Sequence, residues 1–180
     1  MIENYDNIFD GGVNRKKKRK QQKSEKKSCE WLNKYLTEVG VNYNLSRLQV
    51  LMTPVPSDYL LLLDDSVVYI EIKEKRCDVK NDRFPVEQRI EQYERMHDIK
   101  KQFSYVKAFL IIVWLDDDIN SHDVYLADID EFWEIYKRDG KKTFNREQFR
   151  ETFRKFRLSK CSGVDYVYNF GGILEDGKKS

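Results

Sequence analysis

The stretch from Asp58 to Lys73 constrains this chain more than any other. It reads Asp58-Tyr-Leu-Leu-Leu-Leu, a polar Asp64-Asp65-Ser66, then Val67-Val-Tyr-Ile-Glu-Ile-Lys73. Two β-rich runs around a short polar turn predict a β-hairpin. Pro54 and Pro56 just ahead exclude regular helix and interrupt a central strand, so the first strand begins near Asp58.

The hairpin sets side-chain directions. Glu71 and Lys73 are two apart on one strand and point to one face. Residues 58 and 71 are close to equidistant from the turn centre, so Asp58 is expected opposite Glu71, with Cβ atoms ~5 Å apart. Two carboxylates and one ammonium thus converge at the open end. Carboxylates forced together repel unless a cation intervenes. A hard ion such as Mg²⁺, with Mn²⁺ as a substitute, suits Asp58 and Glu71, water and substrate phosphate completing its shell. Such an ion activates water and neutralises a phosphate, and Lys73 is placed to orient that water or to stabilise developing charge. The plain alternative is a salt-bridged surface cluster with no metal.

The rest of the chain predicts elements that frame this hairpin. From about Ser24, Cys29, Leu32 and Leu36 recur at helical spacing, with Gly40 as the stop. Leu48 to Met52 reads as a strand. Residues 74–85 read as a polar loop, and Pro85 suits the first turn of a helix reaching about Gln102, with Val86, Ile90, Tyr93 and His97 on one face. Phe109 to Leu115 is a continuous apolar strand expected to be buried on both faces. Asp116–Asp118 is a turn, Asp123 to Leu126 a short strand, and Asp130 to Lys137 a helix. A last helix is expected over Thr143 to Ser159, capped by Asn145, its Phe149, Phe153 and Phe156 stripe facing the core. Its interleaved Arg150, Arg154, Lys155 and Arg157 are a second candidate for a DNA contact. The order α–β–β–α–β–β–α describes an α/β domain with a mixed central sheet flanked by helices.

Composition matters here mainly through its unevenness. The net charge is only +2, yet Arg15 to Lys27 holds nine Lys or Arg residues and a single acid, Glu25. A run such as Arg15, Lys16, Lys17, Lys18, Arg19, Lys20 is either a solvated tail or a phosphate-backbone contact. The expected organisation is a flexible basic arm over 1–23, a main domain over 24–140, and a basic helix and tail over 141–180. The three cysteines are far apart without zinc spacing, and the two histidines leave little for a His-based metal site or triad. The N-terminus lacks an apolar leader segment, and the longest apolar run is too short to span a bilayer. A cytoplasmic location is therefore expected.

Pro56-Ser57-Asp58, then thirteen residues later Glu71-Ile72-Lys73, resembles the PD-(D/E)xK nuclease pattern, with one extra residue between proline and aspartate. Ser57-Asp58-Tyr59, Tyr69–Glu74, Phe84-Pro85, and Gln92-Tyr-Glu-Arg-Met96 resemble the RecU-type Holliday-junction resolvases within it. So do Phe109–Val113, Val124–Leu126 and Phe132-Trp133, and the likeness covers roughly residues 53–137. It implies a restriction-endonuclease-like domain and a magnesium-dependent, structure-selective DNA endonuclease. It also implies a homodimer that nicks opposed strands of a four-way junction during recombination and repair. Asp58, Glu71 and Ile72 would hold the metal, and Lys73 and Gln92 would join the catalytic set. The family carries a further acid on its first helix, for which Glu25 and Glu30 both stand as candidates. Glu25 is favoured, because it shares the face of Cys29, Leu32 and Leu36. The family's long stalk before the aspartate has no full counterpart here. Another nuclease of the same superfamily, or a DNA-binding protein that does not cut, are the competing readings.

Overall fold

The computed structural model describes residues 26–48, 57–76, 83–86, 89–115, 122–140, 143–159 and 168–175. Its first element, α1, is helical over 26–38. Ser28, Trp31, Leu32, Tyr35 and Leu36 are its buried residues, the stripe of an amphipathic helix laid on a sheet. The turn after it closes at Gly40, whose φ of 71° is left-handed and favours glycine.

The strands follow as β1 (Tyr43–Arg47), β2 (Tyr59–Leu63) and β3 (Val67–Arg76). The short β4 (Arg83–Pro85) leads to α2 (Ile90–Gln102), β5 (Val106–Leu115), β6 (His122–Asp128) and α3 (Ile129–Asp139). After these come β7 (Thr143–Asn145), α4 (Arg146–Thr152), a 3₁₀ turn (Arg154–Phe156) and the short α5 (Gly171–Leu174). Among the described residues, five strands form the main sheet in the order β1-β2-β3-β5-β6, and β4 with β7 forms a two-stranded ribbon. The β3–β5 pair is parallel, with α2 in the crossover, and the other pairs are antiparallel. The molecule is thus an α/β domain with a mixed central sheet flanked by helices.

The alternation of each strand sorts the core into two layers. Val68, Ile70, Ile72, Ile111, Val113, Val124 and Leu126 face α1. Residues 168–175 close that layer, with Tyr168 against Trp31 at 5.1 Å between ring centroids. Ala108, Leu110, Ile112, Trp114, Tyr125 and Ala127 face the other way. They pack under Tyr93 and Met96 of α2, Phe132 of α3, and Phe84 and Phe144 of the ribbon. Phe149 and Phe153 stack at 4.3 Å between centroids and join Phe156 in this layer, so the aromatic stripe is core, as its spacing predicts.

The structure differs from the expectations in three places. It adds a strand at Tyr43–Arg47, whereas the strand expected over Leu48 to Met52 falls, at residues 49–52, outside the described ones. Pro85 ends β4 and α2 starts at Ile90, because Phe84 pairs with Phe144 and needs an extended backbone there. For the same reason Thr143–Asn145 is strand, and α4 begins only at Arg146, where Asn145 and Gln148 form a capping box. The Asp116–Asp118 turn lies outside the described residues. No helix among the described residues is long and apolar enough to cross a membrane.

Candidate active site

The β2–β3 hairpin closes through a tight link in which the Leu63 N–H donates to the Ser66 carbonyl at 2.9 Å. Its register pairs Tyr59 with Ile70. One step further, that register sets Asp58 against Glu71, the opposition inferred from the turn. The backbone at Asp58 is held from both sides. Its carbonyl accepts from the Leu48 N–H at 2.9 Å, and the buried Ser57 hydroxyl donates to the Tyr59 carbonyl at 2.9 Å. The Asp58 side chain reaches across, its Oδ2 accepting from the Ile72 N–H at 3.0 Å.

Glu71 is fully buried, at 0% exposure, on the face of the sheet that α2 covers. Its Oε1 pairs with the Lys73 ammonium, the neighbour two residues along the same face. Its Oε2 has no hydrogen-bond partner among the described residues. A buried carboxylate oxygen with nothing to accept costs more than a neutral polar atom, roughly 3 kcal/mol or above. The lysine offsets the charge but leaves that oxygen bare.

Tyr93 of α2 belongs to the same neighbourhood. Burial pushes its phenol well above the ordinary value, with the positive Arg89 and the negative Asp58 acting on it in opposite senses. Its hydroxyl has no hydrogen-bond partner among the described residues. From its sequence spacing Tyr93 belongs only to the packing face of the helix. The available signal was a polar-tipped aromatic beside Gln92. Gln92 itself is half-buried in the first turn of α2. Glu30 is exposed and pairs with Lys26 at 4.0 Å, a solvent position. Glu25 and the run Arg15, Lys16, Lys17, Lys18, Arg19 and Lys20 lie outside the described residues.

The donor set fits a hard divalent cation with a partial shell. Among the described residues no group of three or more His, Cys, Asp or Glu side chains converges. The available oxygens are the Asp58 and Glu71 carboxylates and the backbone carbonyl of Ile72, whose side chain has no donor. One or two carboxylates plus water and substrate oxygen are what Mg²⁺ ordinarily takes, whereas a structural zinc site needs four nitrogen or sulfur ligands. The bare Glu71 Oε2 is the atom in this set that a cation would satisfy. Cys29 offers no competing chemistry, since burial pushes its thiol up and away from the reactive thiolate.

No protein-family model matches the chain, and no curated protein matches it in sequence. Among solved structures it is similar to Hjc from Archaeoglobus fulgidus, a Holliday junction resolvase from an archaeal hyperthermophile. The TM-score is 0.40 and the identity 11%, over 71% of this chain and 92% of that one. A likeness of that size fixes neither activity nor substrate.

Proposed function

We propose that this chain is a divalent-metal-dependent DNA endonuclease that acts on four-way junctions, with Asp58, Glu71 and Lys73 as its catalytic centre. The observation that carries the reading is the fully buried Glu71, one oxygen bound to Lys73 and the other bare, with Asp58 opposite in register. A salt-bridged surface cluster would leave these groups in water, where pairing is worth little. Burial of an acid this deep is costly and calls for a function that uses it.

Asp58, Glu71 and the Ile72 carbonyl would hold Mg²⁺ or Mn²⁺. Bound there, the ion would supply a water of lowered pKa and neutralise charge on the scissile phosphate. The protein groups have separate tasks. Lys73 offsets the charge of the buried Glu71 and presents its ammonium toward the reacting phosphate. Tyr93 offers a neutral hydroxyl donor, because its raised pKa keeps the proton on oxygen. Gln92, beside it on α2, is the candidate for orienting the attacking water.

The junction and the homodimer rest on the resemblance of Ser57-Asp58-Tyr59, Glu71-Ile72-Lys73 and the Gln92–Met96 segment to RecU-type resolvases. A twofold dimer suits a substrate whose two cut strands are related by symmetry. The test is cleavage of a labelled synthetic four-way junction beside linear duplex and flap DNA, in Mg²⁺ and in EDTA. Paired symmetrical nicks confined to the junction and to Mg²⁺ are expected. Cutting of every substrate would replace the resolvase with a general nuclease. Tight binding with no cutting in Mg²⁺ or Mn²⁺ would replace it with a non-catalytic DNA-binding protein.

A further inference from the structure

The C-terminal basic segment carries a charge arrangement that the core does not explain. Asp123 of β6 is 3% exposed and sits at the centre of three arginines. Arg146 donates to its Oδ2 from Nε at 3.3 Å and Nη2 at 3.0 Å. Arg150 donates to the same oxygen from Nε at 2.8 Å and Nη2 at 2.6 Å. Arg157 donates to Oδ1 from Nη2 at 2.6 Å. One arginine suffices to neutralise a buried carboxylate. Here Arg146, Arg150 and Arg157 share it, so the carboxylate alone does not account for all three. Tyr125 beneath them adds no anion, since burial and the Asp123 carboxylate push its phenol up to about 12.

The cluster is also oriented outward. The side chains of Arg150 and Arg157 remain 45% and 55% exposed, although both are anchored at their inner edge. A guanidinium has five N–H donors, and the carboxylate engages two nitrogens of Arg150 and one of Arg157. Anchored arginines with donors turned to solvent are preorganised for a second oxyanion, and bidentate phosphate recognition is what the planar fork suits.

Sheet register places this cluster relative to the catalytic hairpin. Lys73 is level with Ile112 and Tyr125, while Asp123 is level with Trp114 and Lys75. Asp123 therefore lies two strands across and two residues further along, on the face shared by Glu71, Lys73 and Tyr125. The Lys73–Asp123 Cα separation from strand geometry is roughly 12 Å. That is about three to four nucleotide steps at ~3.4 Å of duplex axis per step.

We propose that Arg146, Arg150 and Arg157, gathered on Asp123, form a phosphate platform that grips the DNA backbone and sets the strand across the catalytic hairpin. The choice of DNA as ligand rests on the nuclease reading above; the platform itself rests on the arginine geometry. Arg146 stays in place in the test, so that Asp123 keeps a partner and the fold keeps its anchor.

The experiment measures binding of the full chain to a fluorescent duplex and a four-way junction by anisotropy, in EDTA, across a salt series. Variants are Arg150→Gln, Arg157→Gln, the double variant, and Arg157→Lys as the charge-keeping control. Each Gln substitution is expected to weaken binding at least about tenfold, the loss of one charge-assisted contact. Each is also expected to flatten the log K against log salt slope by about 0.9, so the double variant loses about 1.8. Arg157→Lys should keep the slope. A double variant that melts like the parent yet binds with the parent's affinity and slope overturns the platform. If the double variant does not fold, the single Arg157→Gln substitution decides in the same way. Arginine-dependent binding without cutting in any metal would keep the platform and remove the nuclease. Cutting with arginine-independent binding would do the reverse, and a chain that binds no DNA would remove both.

Discussion

Replacing Lys73 with Met tests the electrostatics of the hairpin directly. Glu71 is 0% exposed, and Lys73 is its ammonium partner, with a side chain only 16% exposed. Methionine keeps most of the stem volume, so the change is chiefly the loss of charge. It strands a buried carboxylate, and removal of one partner from a buried pair costs about 3–5 kcal/mol. The variant should therefore show a large drop in urea midpoint with an unchanged m-value. Two further measurements separate stranded charge from lost packing. Glu71→Gln in the Lys73→Met background should restore most of the lost stability, because it removes the charge and not the volume. Magnesium should stabilise the Lys73→Met protein, by about 2.7 kcal/mol at a hundredfold excess over Kd. A Lys73→Met protein as stable as the parent, or one that neither Glu71→Gln nor Mg²⁺ improves, would refute the account of Glu71 as a buried charge in need of a cation.

Other outcomes follow from the rest of the molecule. Asp130 on α3 accepts from His97 Nδ1 at 2.7 Å and pairs with Lys100 at 2.7 Å. Burial alone would raise its pKa, but Lys100 and then His97 outweigh that and hold it below the ordinary carboxylate value. A depressed folded-state pKa contributes stability that is present above the unfolded value and lost as pH falls through the folded one. Asp130→Asn should thus flatten the acid limb of stability against pH below about 4, while leaving the neutral region less stable than the parent; an unchanged acid limb would contradict this. Phe149→Ala empties a fully buried position between Phe84, Trp114, Tyr125 and Phe153, and should cost about 3–5 kcal/mol in chemical denaturation. Removal of the Asn145 cap by Asn145→Ala should cost about 1 kcal/mol, since the Gln148 backbone N–H loses its acceptor, Asn145 Oδ1.

The parts legible in the sequence share one property: their geometry is set by near neighbours. The Asp58–Glu71 opposition came from counting outward from a short turn, because hairpin register is local. The buried strand over Phe109 to Leu115 followed from an unbroken apolar run, and the phenylalanine stripe from helical spacing. What escaped is non-local or short. The edge strand Tyr43–Arg47 buries little and carries three polar residues in five, so its pattern is weak. The ribbon of β4 and β7 pairs three-residue strands far apart in sequence, too short for any period to show, and it shifted the starts of both α2 and α4. The arginines on Asp123 lie 23 to 34 residues from it, and only the pairing of β6 and the chain reversal after α4 bring them together. At the candidate site, the sequence supplied the residue types, but the burial of Glu71 and its bare oxygen emerge only in the folded sheet, on the face where α2 packs against β5.

The central claim is that Asp58 and Glu71 serve metal-dependent strand cleavage. The most direct measurement compares Asp58→Asn and Glu71→Gln with the parent on a labelled four-way junction in Mg²⁺, with binding followed in parallel. The account predicts that both variants lose cleavage by at least about a hundredfold while binding the junction as tightly or more tightly, because repulsion of the phosphates falls. Cleavage by either variant at the parent's rate, or cleavage by the parent in EDTA, would contradict it.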